Sequence, residues 1–194
     1  MPILQTQQRG RDSILAGREQ QQGFSIPRFP YVSLNLDYNG NLVRSGSHHN
    51  LFAANPNYTA DIIRDTYQKA GKDFPSIFKH EGDVLFDGKS CYKVVVDYTP
   101  YKLYNYKVKS GEDVFSIAKR LFLNEFKIKE LNKLDGYTGL KAGQVLVLSN
   151  AYARNTILYI DKKSYLPLVQ IVYDELGFFE RYEYHDVQVN LTFK

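Results

Sequence analysis

Cysteine and tryptophan are almost absent from this sequence, whose 194 residues include one cysteine and no tryptophan. The single cysteine, Cys91, excludes a disulfide within the chain and a zinc site of the cysteine-rich kind. Cys91 lies in the alternating segment CYKVVVDY. It is therefore expected to be a buried or half-buried strand residue rather than a reactive thiol.

Long apolar segments are missing too. No stretch approaches the roughly 18 consecutive apolar residues of a membrane-spanning helix, and the first twenty residues lack the apolar centre of an export signal. These absences leave two alternatives, which are a cytosolic protein and a processed or partial form of an exported protein.

Long runs of one charge sign are also missing from the chain. The formal net charge is +4, and there is no long run of lysine or arginine. Nucleic acid is therefore a weak candidate partner, whereas an acidic polymer or an anionic membrane surface is compatible with this charge.

The signatures of common catalytic sites are absent as well. The sequence contains no HExxH, GxSxG, phosphate-loop or dinucleotide-binding motif. His48 and His49 are adjacent, and adjacent strand residues point to opposite faces, so we interpret both as polar loop residues. We expect a protein with no catalytic residue, metal or other cofactor. A cell-wall hydrolase is the less favoured alternative, because Cys91 has no obvious histidine partner.

Tyrosine and phenylalanine, by contrast, are abundant, with 16 and 12 residues. Both favour strands, so the composition indicates β structure. Residues 1–24 are rich in glutamine and charge, and we expect them to be a loose start. The alternating segment 32–36 predicts a half-buried strand before the Asn39-Gly40 turn.

One helix stands out in the first half, within the segment NPNYTADIIRDTYQKAGKDFP. Thr59 is predicted to cap its start and Gly71 to end it. Ile63, Tyr67 and Ala70 follow the helical repeat and are predicted to form its buried stripe.

Strands dominate after this helix. DVLF and CYKVVVDY, joined at Asp87-Gly88, predict a hairpin. NTILYI, PLVQIVY, FFERYEYHD and VQVNLTF follow with short polar turns between them, which predicts an antiparallel meander. Alternate residues from Phe178 to Tyr184 share a face that is apolar apart from Glu180. This face is predicted to meet a core or a cavity.

Between CYKVVVDY and NTILYI the pattern changes to strand, helix, helix, strand. YKVK predicts the first strand and VLVL the last, and Asp113 is predicted to cap the first helix. The apolar stripes of the two helices are predicted to be Val114, Ile117, Ala118 and Leu121, then Phe126, Ile128, Leu131 and Leu134.

This segment resembles a LysM domain. The family pattern is Tyr-x-Val-x-x-Gly, Ile-Ala before a basic residue, Leu-Asn, and Leu-x-x-Gly-Gln-x-Leu. It is matched here by Tyr106, Val108, Gly111, Ile117-Ala118, Leu131-Asn132, Leu140, Gly143, Gln144 and Leu146. The resemblance implies a βααβ fold that binds N-acetylglucosamine polymers, chiefly peptidoglycan and chitin. Where the family usually has Gly-Asp-Thr, this chain has Gly111-Glu112-Asp113, which puts two adjacent carboxylates at the first loop.

In this family the glycan lies in a shallow groove between the loop after the first strand and the loop before the last. By position, the resemblance implies the glycan-binding residues Gly111, Glu112, Asp113, Val114, Asp135, Gly136, Tyr137, Thr138, Gly139 and Leu140. Backbone amides and carbonyls would contact the acetamide groups, and Tyr137 would offer a stacking surface.

The rest of the chain carries a second resemblance. LYIDKKSYLPLVQIVYDELGFFERYEYHDVQVN, with its Ile-Asp, Leu-Pro and Asp-x-x-Gly elements, is similar to the late hairpins of LolA-like proteins, which are periplasmic lipoprotein carriers and their relatives. SLNLDYNGNLVRSGSHHNL suggests an uncharacterised envelope family of that superfamily. The resemblance implies a partly closed antiparallel sheet around one main helix, sheltering a lipid or a lipoprotein acyl chain in the periplasm or cell envelope. A complete sheet of this kind needs strands before residue 13, which fits a chain that lacks its N-terminal part.

Together these patterns predict an α+β protein. The LysM domain, residues 104–150, is inserted into a LolA-like domain formed by residues 1–103 and 151–194. Residues 93–97 are then predicted to pair antiparallel with residues 156–160, with TPYKLYN and SNAYAR as short linkers. The favoured function is a noncatalytic envelope protein that binds peptidoglycan. The alternative is an interaction or structural protein in which neither part binds its family ligand.

Overall fold

The computed structural model describes residues 3–8, His48 and residues 56–189. Its helices are α1 (Pro56–Ala70), α2 (Phe74–Ile77), α3 (Val114–Leu121) and α4 (Glu125–Leu131), with a 3₁₀ turn at Gly71–Asp73. Its strands are β1 (Ile3–Gln8), β2 (Phe78–Phe86), β3 (Lys89–Asp97), β4 (Leu103–Lys107), β5 (Val145–Ser149), β6 (Asn155–Asp161), β7 (Pro167–Asp174) and β8 (Gly177–His185). The α+β class is confirmed.

Six strands form one antiparallel sheet, called here the large sheet, in the order β1-β8-β7-β6-β3-β2. The hairpin at Asp87-Gly88 and the meander from β6 to β8 are confirmed. Closing a sheet requires its two edge strands to meet, and within the described residues the edges β1 and β2 do not pair. The sheet is therefore not closed within the described residues, and the partial closure implied by the LolA-like resemblance stays a prediction.

Both ends of the chain differ from expectation. Residues 3–8, expected to belong to a loose start, form β1, whose backbone pairs antiparallel with β8 from Ile3↔His185 to Gln8↔Glu180. At the other end, Asp186 has a φ of 51° and ends β8, so residues 187–189 of the predicted strand VQVNLTF have no regular structure. The strand predicted at residues 32–36 lies outside the described residues.

The LysM-like segment leaves and rejoins the large sheet between two neighbouring strands. Asp97 pairs with Asn155 and Lys93 with Tyr159, so the predicted pairing of residues 93–97 with 156–160 is confirmed. β4 and β5 form a separate two-stranded sheet, from Leu103↔Ser149 to Lys107↔Val145. The division into two domains at residues 104 and 150 stays a prediction.

The segment between β4 and β5 has a hydrophobic core of its own. The predicted stripe of α3 supplies three of its buried residues, and α4, the loops and β5 supply others. The core consists of Val108, Val114, Ile117, Ala118, Leu123, Ile128, Tyr137, Leu146 and Leu148. A cluster of this kind around short helices and one strand pair is what an independently folding unit needs.

α1 lies on one face of the large sheet, and its start differs from the prediction. The helix begins at Pro56, so Thr59 lies inside it. The Thr59 hydroxyl donates to Gln170 Oε1 on β7 at 2.9 Å. Thr59 therefore joins the helix to the sheet rather than capping it, while the predicted end before Gly71, whose φ is 52°, is confirmed.

The buried stripe of α1 also differs from the predicted one. Ile62, Thr66 and Ala70 are buried, whereas Tyr67 is 52% exposed and contacts Phe74 through its ring edge. The Thr66 hydroxyl donates to the backbone oxygen of Ile62 at 2.9 Å. The hydroxyls of Thr59 and Thr66 both donate hydrogen bonds, so these two polar residues can be buried. A prediction that searches only for apolar residues in the buried stripe misses such positions.

The segment SNAYAR, predicted to be a linker, is instead part of the core. Ala151, Tyr152 and Ala153 are 0%, 4% and 8% exposed. Ala151 packs in the cluster beneath α1 and α2, and the other two pack with Phe179 of β8. The linker prediction is wrong here, because these residues fill the space between the LysM-like segment and the large sheet.

α4 docks on the large sheet through its first turn. Phe126, predicted to belong to the stripe of α4, packs against the cluster that contains Phe179. The Lys127 Nζ atom lies 2.7 Å from Asp174 Oδ2 and 2.5 Å from Glu175 Oε1. The strand pairing expected from an insertion is present, but this segment also packs against the core of the large sheet.

We predict that an excised peptide of residues 104–150 folds on its own. Its core is internal, so it should show a cooperative thermal transition by circular dichroism, with a free energy of unfolding of no more than about 5 kcal/mol. A gradual, noncooperative loss of signal would show that the segment needs the large sheet in order to fold.

A second prediction concerns Lys127 in the full chain. Lys127→Met removes the ammonium group from the buried Asp174 carboxylate and the half-buried Glu175 carboxylate, and should lower the free energy of unfolding in urea by about 3 kcal/mol. Lys119→Met, on the exposed face of α3, is the matched control and should change it by less than about 0.5 kcal/mol. Equal effects of the two substitutions would contradict a special role of Lys127.

Candidate functional site

The two predicted loops, residues 111–114 and 135–140, lie side by side at one end of the β4–β5 pair. The backbone N–H of Val114 donates to the backbone oxygen of Tyr137 at 3.1 Å. Below the loops, Val108 N donates to Gln144 O and Gly143 N donates to Val108 O, both at 2.8 Å. The strand pairing therefore continues to the base of both loops and holds them together.

Most of the predicted site residues have access to solvent. They fall into three groups: exposed Gly111, Asp135, Thr138 and Gly139; half-buried Glu112, Asp113, Gly136 and Leu140; and buried Val114 and Tyr137. Val114 is a core residue of the segment, so only its backbone lies at the loop surface. The surface between the loops is thus formed mainly by glycine backbone and short side chains.

The Glu112 carboxylate is used to hold the first loop together. It accepts hydrogen bonds from the Tyr106 hydroxyl, from the Lys109 backbone N–H at 2.8 Å and from the Arg120 guanidinium at 2.7 Å. Burial alone would raise the pKa of Glu112, but these three donors together lower the pKa below its usual value. Its charge is therefore matched within the segment.

Asp113 is also committed to structure, as predicted. Its carboxylate accepts from the Ser116 N–H at 2.7 Å, while the Ser116 hydroxyl accepts from the Asp113 N–H at 2.9 Å, which completes a capping box. Gly111, with a φ of 79°, supplies the left-handed backbone that turns the chain into this cap. The two adjacent carboxylates of this loop thus have intramolecular partners.

Tyr137 does not present the predicted stacking surface in this structure. Its side chain is 7% exposed, and its ring stacks on Phe115 with centroids 5.2 Å apart. The Lys129 ammonium lies 5.7 Å from the ring centroid. The ring belongs to the core of the segment, so only the Tyr137 backbone, which bonds to Val114, is available to organise the groove.

Asn132, noted in the sequence only as part of the Leu-Asn pair, fixes the second loop to β5. Its side-chain oxygen accepts from the Val147 N–H at 2.7 Å, and its side-chain nitrogen donates to the Val147 oxygen at 2.8 Å. The amide thus imitates a neighbouring strand along β5. No local sequence pattern indicates this role, because Val147 lies 15 residues further along the chain, beyond the second loop.

A second polar cluster lies where α4 meets the large sheet, and it centres on Glu180, which is 0% exposed. The hydroxyls of Tyr152 and Tyr182 donate to its carboxylate at 2.5 and 3.1 Å, and the Asn124 amide lies 3.4 Å away. Burial first, and then the Glu180 charge, hold the pKa of Tyr152 well above its usual value. This hydroxyl therefore stays protonated and acts as a donor.

His48, interpreted from the sequence as a polar loop residue, lies in a bend and is buried in the Glu180 cluster. It is 2% exposed, and its Nδ1 atom lies 3.1 Å from Glu180 Oε2. The ring stacks between Phe126 of α4 and Phe179 of β8, at centroid distances of 4.1 and 4.5 Å. Because the partners are far away in the sequence, no local pattern indicates this position. His49 lies outside the described residues.

Other candidate chemical groups occupy ordinary positions. Cys91 is buried, as predicted, and burial, with the Asp161 charge, raises the pKa of its thiol. Between residues 56 and 189, together with residues 3–8 and His48, no three His, Cys, Asp or Glu side chains are grouped to hold a metal ion.

The hydrogen bonds of Glu112 predict that the free energy of unfolding depends on pH in the acidic range. Because the pKa of Glu112 is lowered by folding, its stabilising effect is present above its ordinary value of 4.5 and is lost as the pH falls through the lower folded value. The difference in free energy of unfolding between wild type and Glu112→Gln should therefore shrink below pH 4.5. Glu81→Gln, at an exposed glutamate, is the control, and a constant wild-type-to-Glu112→Gln difference from about pH 7 to 3 would contradict the role of Glu112.

Comparison with known proteins identifies one part of the chain. Comparisons with curated proteins and with solved structures gave no match, so the LolA-like resemblance of the large sheet stays a prediction. The family model of the LysM domain matches residues 106–149. This stretch contains both loops, the hydrogen bonds of Glu112 and Asp113, and those that join Asn132 to Val147. It is the LysM domain of this chain.

Proposed function

We propose that the chain is a noncatalytic binding protein of the cell envelope whose LysM domain holds an N-acetylglucosamine glycan, such as peptidoglycan. The glycan lies in the groove between residues 111–114 and 135–140. The observation that carries this proposal is the direct joining of these loops by the Val114–Tyr137 hydrogen bond, inside the matched LysM segment.

The shape of the loops supports the proposal. A Cβ atom built on Gly111, Gly136 or Gly139 meets no atom within 4 Å, so the backbone at these positions faces open space. Open backbone allows N–H and C=O groups to bond the acetamide of a sugar residue. Both carboxylates of the first loop have partners within the domain. They therefore do not stand as free charges against an anionic glycan.

A binding role without catalysis is supported by the positions of the acidic groups. A cell-wall hydrolase needs a carboxylate or another catalytic group that a substrate can reach. Glu112 and Asp113 hold the fold of the first loop, and Glu180 is 0% exposed beneath α4. We therefore assign these groups to structure and the loops to ligand binding.

For the large sheet we propose a supporting role. A cavity between α1 and this sheet, lined by described residues such as Ile62, Phe78 and Leu158, has a volume of about 20 Å³. This is room for about one water molecule rather than for an acyl chain, so it gives no support to lipid sheltering. The contacts of Phe126 and Lys127 instead favour a scaffold that holds the LysM domain in place.

An envelope location follows from the proposed ligand, since LysM domains are typical of cell-envelope proteins. In the part of the chain that the structure describes, no helix is both long and apolar enough to cross a membrane.

The groove assignment predicts the effect of a blocking side chain. Gly136→Leu places four carbons in the open space above the second loop without backbone strain, because only glycines with positive φ require the left-handed region, and Gly136 is not among them. Binding to purified peptidoglycan, measured by co-sedimentation, should fall about tenfold or more, as expected for a lost contact of about 1.4 kcal/mol. The thermal midpoint should be unchanged.

The control for this experiment is Ala142→Leu, an exposed position just outside the predicted loops. It places the same leucine side chain next to the groove, adding three carbons, but should leave binding within twofold. Wild-type protein that does not bind peptidoglycan or chito-oligosaccharide would overturn the proposed function and favour a structural role for the LysM domain. Equal loss in both variants would overturn only the position of the groove.

A further inference from the structure

The positive charge of the chain is concentrated in the LysM domain. Residues 106–149 contain eight lysines and arginines and five acidic residues, a net charge of +3 out of the +4 of the whole chain. The sequence alone shows only a mild excess, because it does not show which charges remain at the surface.

The acidic residues of the domain are mostly used inside the molecule. Glu112 bonds to Arg120 and Asp113 caps α3. Glu125 is 5% exposed at the start of α4, and Glu130 lies 3.7 Å from the buried Lys127 ammonium. Asp135 is the exposed acidic residue of the domain. The surface is therefore more positive than the composition suggests.

The surface lysines surround the proposed groove. We call Lys107, Lys109, Lys129, Lys133 and Lys141 the cationic rim. The hydrogen bonds between Val108, Gly143 and Gln144 bring Lys107, Lys109 and Lys141 to the loop end of the β4–β5 pair, and a Cβ on Gly143 would lie 3.8 Å from Lys107 Cε.

The other two rim lysines flank the second loop. The Lys129 ammonium lies over the Tyr137 ring, and Lys133 comes two residues before Asp135. No rim lysine forms an ion pair with any other residue that the structure describes. The side of the domain that carries the groove thus presents several uncompensated ammonium groups.

We propose that the cationic rim makes the groove select N-acetylglucosamine glycans that carry anionic groups over neutral ones of the same sugar. This rests on the proposed function and adds the charge of the ligand to it. The anionic groups are carboxylates of stem peptides or phosphates of attached wall polymers. The lysine ammonium is a compact point charge that attracts either kind of anion. Attraction by several surface charges raises affinity at low ionic strength and weakens as salt screens it.

A nucleic acid fits this surface less well. Binding to single strands without sequence preference combines positive charge with aromatic rings on which bases stack. Here the Tyr137 ring is 7% exposed and packs against Phe115. The groove thus offers backbone and charge without an open stacking platform, which is the combination suited to a charged glycan.

The test compares the binding of the full chain to four immobilised glycans. They are intact peptidoglycan, the same peptidoglycan without attached wall polymers, the same peptidoglycan without stem peptides, and neutral chitin. Affinities are measured from about 0.05 to 0.3 M salt, which spans strong to weak screening. The rim variant is the triple substitution Lys109→Gln, Lys133→Gln and Lys141→Gln. Its matched control removes three exposed lysines of the other part of the chain, Lys72→Gln, Lys79→Gln and Lys163→Gln.

We expect the wild type to bind intact peptidoglycan more tightly than chitin, and the difference to fall with salt. The rim variant should lose about tenfold in affinity for the anionic glycan at low salt, because three exposed charge contacts are removed. Its affinity for chitin should change less than twofold. The treated samples show whether the carboxylates or the phosphates supply the charge.

Three results would overturn the proposal. They are equal, salt-independent binding of chitin and intact peptidoglycan, equal losses in the rim variant and its control, and competition by a nucleic acid as effective as by the anionic glycan. If the wild type still binds chitin in these cases, the proposed function holds and only the charge preference is wrong. Absence of binding to every glycan overturns the proposed function as well.

Discussion

The buried ammonium of Lys127 lies at the point where the two parts of the molecule meet, and their relative position depends on it. This side chain is 4% exposed and bonds to Asp174 and Glu175 at the β7–β8 turn. A charge removed from water must keep its partners in good geometry, because separating them inside the protein is strongly unfavourable. Apolar contacts of Phe126 add area, but they are less directional. The ion pair therefore fixes the angle at which α4 meets the large sheet.

This docking uses the end of the LysM domain that does not carry the groove. Asn124, Phe126 and Lys127 at the start of α4 face Glu180 and Asp174, whereas the loops follow the other end of α4. The domain is thus held without covering its proposed ligand surface. The carboxylates of Glu180 and Glu112 lie at these two ends. Glu180 is buried beneath α4, and Glu112 accepts the hydrogen bonds that hold the first loop together. Rigid attachment and ligand access are compatible because they use opposite ends of one short helix.

Short-range features were predictable from the sequence, and long-range ones were not. The cap at Asp113, the turn at Asp87-Gly88 and the strands of the meander depend on residues a few positions apart, where periodicity and turn chemistry act. The loops of the LysM domain followed from its motif. In contrast, the burial of His48 depends on Glu180, 132 residues away, and that of Thr59 on Gln170. Tyr67 shows the same limit, because periodicity places a side chain on a face without showing what else fills the space. Tyr137 was assigned by its position in the family motif, which does not show that its ring packs against Phe115.

The pairing of Asp97 with Asn155 has a consequence for the folding pathway. In the unfolded chain these residues are joined by the whole segment 98–154, and closing a loop carries an entropic cost that rises with its length. Once Leu103 and Ser149 have paired, the ends of the segment are about 5 Å apart, the distance between neighbouring strands. The remaining gap is then short on both sides. Early folding of the inserted unit therefore turns the pairing of β3 with β6 into a local contact, and so removes this part of the topological cost of assembly.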